Sequence, residues 1–125
     1  MRYQFPMLIL CALLLGMPAH AQDKSGEKTG ALMTGRALSL LCSSDKPDDQ
    51  FSCQNYIAGV VDYHRLLKSL GTAPSVDFCP PATTTMDQMR QVVAAYISRH
   101  TEHQDFIAAP GVAMSLYAAY PCRKR

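Results

Sequence analysis

The sequence predicts an all-α fold, a small disulfide-stapled bundle of about four helices, on three observations. Apolar residues recur at helical spacing in several segments, as in Cys53, Tyr56, Ile57, Val60, His64 and Leu67. No segment shows the strict apolar–polar alternation of a half-buried strand. Four cysteines, Cys42, Cys53, Cys79 and Cys122, fall at the ends of the helical segments, where a cross-link ties neighbours without interrupting a helix.

The chain opens with the pattern of an export signal. Arg2 supplies a positive n-region, Met7 to Met17 is an apolar run of 11 residues, and Ala19-His20-Ala21 fits a small-x-small cleavage site. The run is shorter than the about 18–20 residues of a membrane span. Cys11 follows Leu10 inside it, which does not suit a lipid-modified cysteine. The expectation is a signal peptide over 1–21, cleaved after Ala21, and a mature chain in the periplasm without a membrane anchor. Cys11 leaves with the signal. The remaining four cysteines then read as two disulfides in an oxidising compartment.

Residues 22–31 are polar and lack an apolar period, and read as a flexible lead-in. A first helix is expected over about 32–43, with Leu32, Gly35, Leu38, Leu41 and Cys42 inward. Gly35 costs roughly 1 kcal/mol in a helix and fits a place where another backbone comes close. Ser43 to Gln50 reads as a turn in which Pro47 stops a helix and the aspartates cap the next. The second helix, about 50–70, ends at Gly71.

Pro74, Pro80 and Pro81 exclude regular helix from the following connection, where Phe78-Cys79 is expected to be pinned to the core. Thr85-x-x-Gln88 has the form of a capping box. It opens a third helix with Met86, Met89, Val92, Val93, Tyr96, Ile97 and His100 on one face. A fourth helix is expected over about 105–120, interrupted or restarted at Pro110-Gly111, with Val112, Leu116, Ala119 and Tyr120 inward. Residues 32–122 thus form one domain, followed by the basic tail 123–125.

Short connections favour antiparallel neighbours. The end of helix 1 and the start of helix 2 then meet, as do the start of helix 3 and the end of helix 4. Of the three pairings, Cys42–Cys53 with Cys79–Cys122 fits this topology best. On the loop-entropy account they contribute roughly 3 and 4 kcal/mol.

The residues do not point to an enzyme. Formal net charge is +2 at pH 7, and three basic residues lie in the tail, so a folded basic face for nucleic acid is absent. No nucleophile elbow or phosphate loop occurs. His100-x-x-His103 has only Glu102 and Asp105 nearby as further ligands, too little for a zinc site; no metal or other cofactor is expected. His64 reads as a core or boundary residue. Asp62 and Asp77 have no spacing that suggests a carboxylate pair, and Asp62 reads as a helix-face residue.

The cysteine frame has company. Gly35-x-x-Leu38-x-x-x-Cys42, Cys53-x-x-Tyr56-Ile57-x-Gly59-x-x-Asp62, Phe78-Cys79-Pro80-Pro81, Val92-Val93-x-x-Tyr96-Ile97 and Ala118-Ala119-Tyr120-Pro121-Cys122 follow in order. This set resembles the Rap/Tai family, immunity proteins against amidase effectors of the type VI secretion system. The resemblance implies a periplasmic, helical, disulfide-bonded, non-enzymatic inhibitor whose partner is a peptidoglycan amidase, with a homodimer as a further expected state. The runner-up is a small periplasmic helical protein with a chaperone-like or envelope-stress role and no toxin partner. The matched residues are scaffold. Two departures stand out: Thr101-Glu102 occupies the place of a His-Pro-Glu-like turn, and Pro110-Gly111 falls in the last helix. The polar connection carrying Arg99, His100, Glu102, His103 and Asp105 is the expected partner-binding segment, because it lies between two anchored helices.

Overall fold

A computed structural model describes residues 32–72 and 75–123. The expected signal peptide and lead-in, and the last two residues of the basic tail, lie outside the described residues. Four α-helices follow in order: α1 (Gly35–Ser43), α2 (Pro47–Ser69), α3 (Met86–Arg99) and α4 (Ala108–Ala119), with a 3-10 turn at Thr101–His103 before α4. The fold class is all-α. Among the described residues β-pairing is limited to two isolated bridges, Thr34 with Ile107 and Phe78 with Pro121. No described helix is long and apolar enough to cross a membrane.

Each helix touches the other three. The shared core is built from Leu38 and Cys42 of α1, Cys53, Ile57 and Val61 of α2, Met89, Val93 and Ile97 of α3, and Ala108, Val112 and Leu116 of α4, with Phe78 from the α2–α3 connection. Fully burying one such aliphatic side chain contributes about 1.5–3 kcal/mol. The core therefore rests on a few residues per helix.

Helix boundaries follow local chemistry. Thr34 caps α1 by accepting from the Ala37 N–H at 3.2 Å, so the helix starts after Leu32. Leu32 is 68% exposed, which corrects its expected inward position. Pro47 does not stop a helix; it is the first residue of α2, where its missing N–H costs nothing and its fixed φ suits the first turn. Asp49 does not cap α2 but accepts from the Ser44 hydroxyl at 2.6 Å, closing the short turn. At the far end of α2, Gly71 has φ 72°. Its N–H donates to the Lys68 carbonyl and that of Thr72 to the Leu67 carbonyl, the paired bonds of a Schellman stop.

The capping box of α3 is complete. Thr85 Oγ1 accepts from the Gln88 N–H at 3.2 Å and the Gln88 side chain accepts from the Thr85 N–H at 2.8 Å. Pro110 does not interrupt α4. The helix begins at Ala108, so Pro110 stands in the first turn, where no intrahelical N–H donor is needed. Ala119, expected inward, is exposed, and Ser115 is buried instead, donating its hydroxyl to the Val112 carbonyl at 2.7 Å.

Two disulfides close the fold, Cys42–Cys53 and Cys79–Cys122, with Cα–Cα distances of 5.1 and 4.9 Å. The picture of helices sharing two common ends is too simple. Arg90, in the second turn of α3, donates to the Cys42 carbonyl at 2.6 Å, so the start of α3 also reaches the α1–α2 junction. The lengths explain this: α2 has 23 residues and α1 has 9, which at 1.5 Å per residue cannot span the same layer.

Candidate partner-binding surface

The connection from α3 to α4 is a clamped turn rather than a free loop. The first turn of α1 needs acceptors for its orphan N–H groups, and this connection supplies them. The Gly35 N–H donates to the Phe106 carbonyl and the Arg36 N–H to the Gln104 carbonyl, both at 2.9 Å, while the Ala108 N–H donates back to the Met33 carbonyl at 2.7 Å. So close is the approach that a Cβ on Gly35 would collide with the His103 carbonyl. That is the physical reason for a glycine inside α1.

On this clamped backbone the five expected contact residues take different positions. Arg99 is exposed, with Nε donating to the Ala95 carbonyl at 2.9 Å. His100 and His103 are half-buried. The His100 ring stacks on Tyr96 with centroids 4.1 Å apart, and His103 lies tilted 5.8 Å from the same ring. Glu102 is exposed and sits 2.9 Å from His100 Nδ1. Its carboxyl is held below the usual range by its own backbone N–H first and by His100 second. Asp105 pairs with Arg36 at 2.9 Å, both side chains well exposed, a contact worth about 0–1 kcal/mol.

Arg99, Glu102 and Asp105 therefore face solvent, while the two histidines form the turn's floor. Phe106, the next residue, is 69% exposed. It lies outside the expected contact set, which rests on the polar residues before it; an aromatic just before a helix start is the signal in the sequence that marks it.

A second surface was also not anticipated. Tyr63 and Leu66 on α2 and Leu70 at its C-cap are exposed, and with Tyr56, Gly59, Val60 and Leu67 they follow the i, i+3, i+4 spacing of one stripe. It lies beside the buried stripe of Cys53, Ile57, Val61 and His64. Part of it lines a cleft shared with Ala109 of α4. Burial raises the Tyr56 hydroxyl pKa there, with a backbone hydrogen bond at Ala109 acting in the opposite direction. A larger cleft of about 660 Å³ runs between α3 and α4, floored by Val92, Tyr96 and Tyr120 and edged by Gln88 and Arg99.

His64 has a specific role in packing. Its side chain is 8% exposed and its ring stacks on Phe78 with centroids 3.8 Å apart. Nε2 stands 3.0 Å from Asp77 Oδ1 but lacks the alignment of a hydrogen bond. Burial lowers the His64 pKa more than Asp77 raises it, which favours the neutral ring beside the carboxylate. Asp77 is held by Lys68 at 2.9 and 3.1 Å. Asp62 instead lies 3.9 Å from Arg65 on the outer face of α2, so the two carboxylates have separate partners. Among the described residues the group of three clustered metal donors is Asp77, Cys79 and Cys122, but the disulfide occupies both sulfurs.

The family model described as Rap1a immunity proteins matches residues 34–122, from the N-cap of α1 to the last cysteine. No curated protein and no solved structure gives a significant match.

Proposed function

The chain belongs to the Rap1a immunity protein family, and from that membership we propose that it is a periplasmic immunity protein that binds and inhibits a peptidoglycan amidase effector of a type VI secretion system. The observation that carries the reading is the match itself, which spans all four helices and both disulfides. Its action is binding and occlusion, without catalysis. The clamped turn suits that task. A surface already held by backbone hydrogen bonds from α1 loses little conformational entropy when a partner seats on it.

Arg99, Glu102 and Asp105 are the proposed polar contacts, with Phe106 as the apolar anchor between them and α4. Half-buried His100 and His103 support the turn from beneath. Aromatic side chains anchor interfaces more often than charged ones at the rim, so Phe106 is expected to matter most. A homodimer is a further proposed state, and the exposed stripe of α2 is the apolar face available to it.

The test is a search of the adjacent genes for a small Cys-His amidase and a binding titration of the purified protein with it, with peptidoglycan hydrolysis followed in parallel. Tight association with loss of hydrolysis is expected, together with protection of cells exposed to the effector. An amidase that stays fully active at saturating concentrations of this protein rejects the reading. The chaperone-like alternative would be favoured instead by a methionine-rich surface that becomes exposed on acidification, with no protection against an effector.

A further inference from the structure

The two disulfides sit in unlike chemical settings. Cys42 and Cys53 are both completely buried in the core. Cys79 is exposed and Cys122 half-exposed. The Lys68 ammonium lies 3.7 Å from Cys79 Sγ and 3.9 Å from Cys122 Sγ. A cleft of about 350 Å³, lined by His64, Arg65, Lys68, Phe78 and Pro80, opens beside Cys79. We propose that Cys79–Cys122 is a thiol–disulfide exchange site for low-molecular-weight thiols, activated by Lys68, whereas Cys42–Cys53 is a sealed structural cross-link.

The chemistry follows from what exchange requires. A thiolate must reach one sulfur in line with the S–S bond, and the departing sulfur must leave as a thiolate. Exposure of Cys79 meets the first need, and Arg65 with Lys68 draws an anion into the cleft. When an incoming thiolate bonds to Cys79 Sγ, the S–S bond breaks and its electron pair goes to Cys122 Sγ. The new thiolate is then born beside the Lys68 ammonium, which stabilises it. With a dithiol, the second thiol attacks the mixed disulfide and releases Cys79. The reagent leaves as a cyclic disulfide, having supplied two electrons, and its two protons pass to the cysteines or to water. With a monothiol, the product can rest as a mixed disulfide on Cys79.

Asp77 tempers the reaction. Its carboxylate lies within 4.8 Å of both sulfurs and holds the Lys68 ammonium by two hydrogen bonds. It shares the positive charge that would otherwise serve the leaving sulfur, and it repels an approaching thiolate. Phe78 and Pro121 pair across the site, and the Cys79 N–H donates to the Tyr120 carbonyl at 2.8 Å, contacts that do not depend on the S–S bond itself. The sulfurs therefore stay close after cleavage and can re-form.

The test uses the purified protein in graded dithiothreitol under native conditions, with quenching by iodoacetamide and peptide mass analysis over time. Trypsin separates the two pairs, since Cys42 and Cys53 share a peptide that contains neither Cys79 nor Cys122. Cys79 and Cys122 are expected to be alkylated at least about tenfold faster than Cys42 and Cys53. Lys68→Met is expected to slow their release about three- to tenfold, and Asp77→Asn to hasten it, with the circular dichroism of both variants unchanged. Equal rates for the two disulfides, or earlier opening of Cys42–Cys53, overturn the proposal. A Lys68→Met rate equal to that of the parent chain overturns the role of the lysine.

Discussion

Around Cys42–Cys53 the chain is dry and closely held: both sulfurs are buried, and Arg90 reaches across from α3 to the Cys42 carbonyl. Around Cys79–Cys122 the same kind of bond faces solvent amid His64, Lys68 and Asp77. The first bond closes 11 residues of sequence separation and the second 43. Loop entropy alone would rank the second as the stronger staple, by about 1 kcal/mol. Burial is expected to reverse that order, since the first bond also fills space in the core. A cross-link's contribution thus depends on what surrounds it as well as on the loop it closes.

The most severe test is to remove each pair. Cys42→Ser with Cys53→Ser is expected to cost about 5 kcal/mol, because two hydroxyls are left in the core as well as a loop unclosed. Cys79→Ser with Cys122→Ser should cost about 4 kcal/mol, with its hydroxyls hydrated. Urea unfolding of both double variants measures the order, and a less stable second variant breaks the contrast. Arg90→Met comes next. Its guanidinium is 14% exposed and also pairs with Asp87 at 2.8 Å, so loss of the bond to the Cys42 carbonyl should cost about 2 kcal/mol by the same assay.

The open region should respond to pH. Burial holds the His64 pKa below its ordinary value in the folded chain, against the pull of Asp77 and with Lys68 and Arg65 opposing protonation. The unfolded chain therefore binds a proton first as pH falls. Stability from His64 is complete above about pH 6.5 and declines as pH drops below it. His64→Gln should flatten that part of the pH–stability curve, read from chemical denaturation between about pH 7 and 5. An unchanged slope would show that His64 does not carry it. The smallest effect is expected for Lys68→Met on stability, under about 1 kcal/mol, although the same variant slows disulfide opening several-fold.

Much of this was legible in the chain. Thr85 with Gln88, and Gly71 after a long apolar period, act over three or four residues, so their chemistry can be read locally. Gly35 was legible in kind, since a glycine within a helix signals a close approach; which backbone approaches was not. Pro47 opens α2 and Pro110 stands in the first turn of α4 for a single reason. Proline breaks a helix interior but is welcome in its first turn, and the sequence alone did not locate the turn. The exposed stripe of α2 was blurred because apolar residues on two neighbouring faces look like one broad face in the sequence.

At the candidate contact surface, the polar residues 99–105 were visible as a connection between helices, but their division into floor and face was not. Burial of His100 and His103 depends on Tyr96 and on α1, far apart in sequence. The exposure of Phe106 follows from where α4 starts, which the sequence does not fix.

The sequence by itself determined the helical class, the four cysteines and the residues that cap α3 and close α2, because helical period and capping are local properties of the chain. The tertiary structure decided which N–H groups the α3–α4 turn would satisfy, which face of α2 would remain uncovered, and that Lys68 and Asp77 would meet beside Cys79–Cys122. Those outcomes depend on helices of unequal length packing around one small core, and distance along the chain carries little information about distance across it.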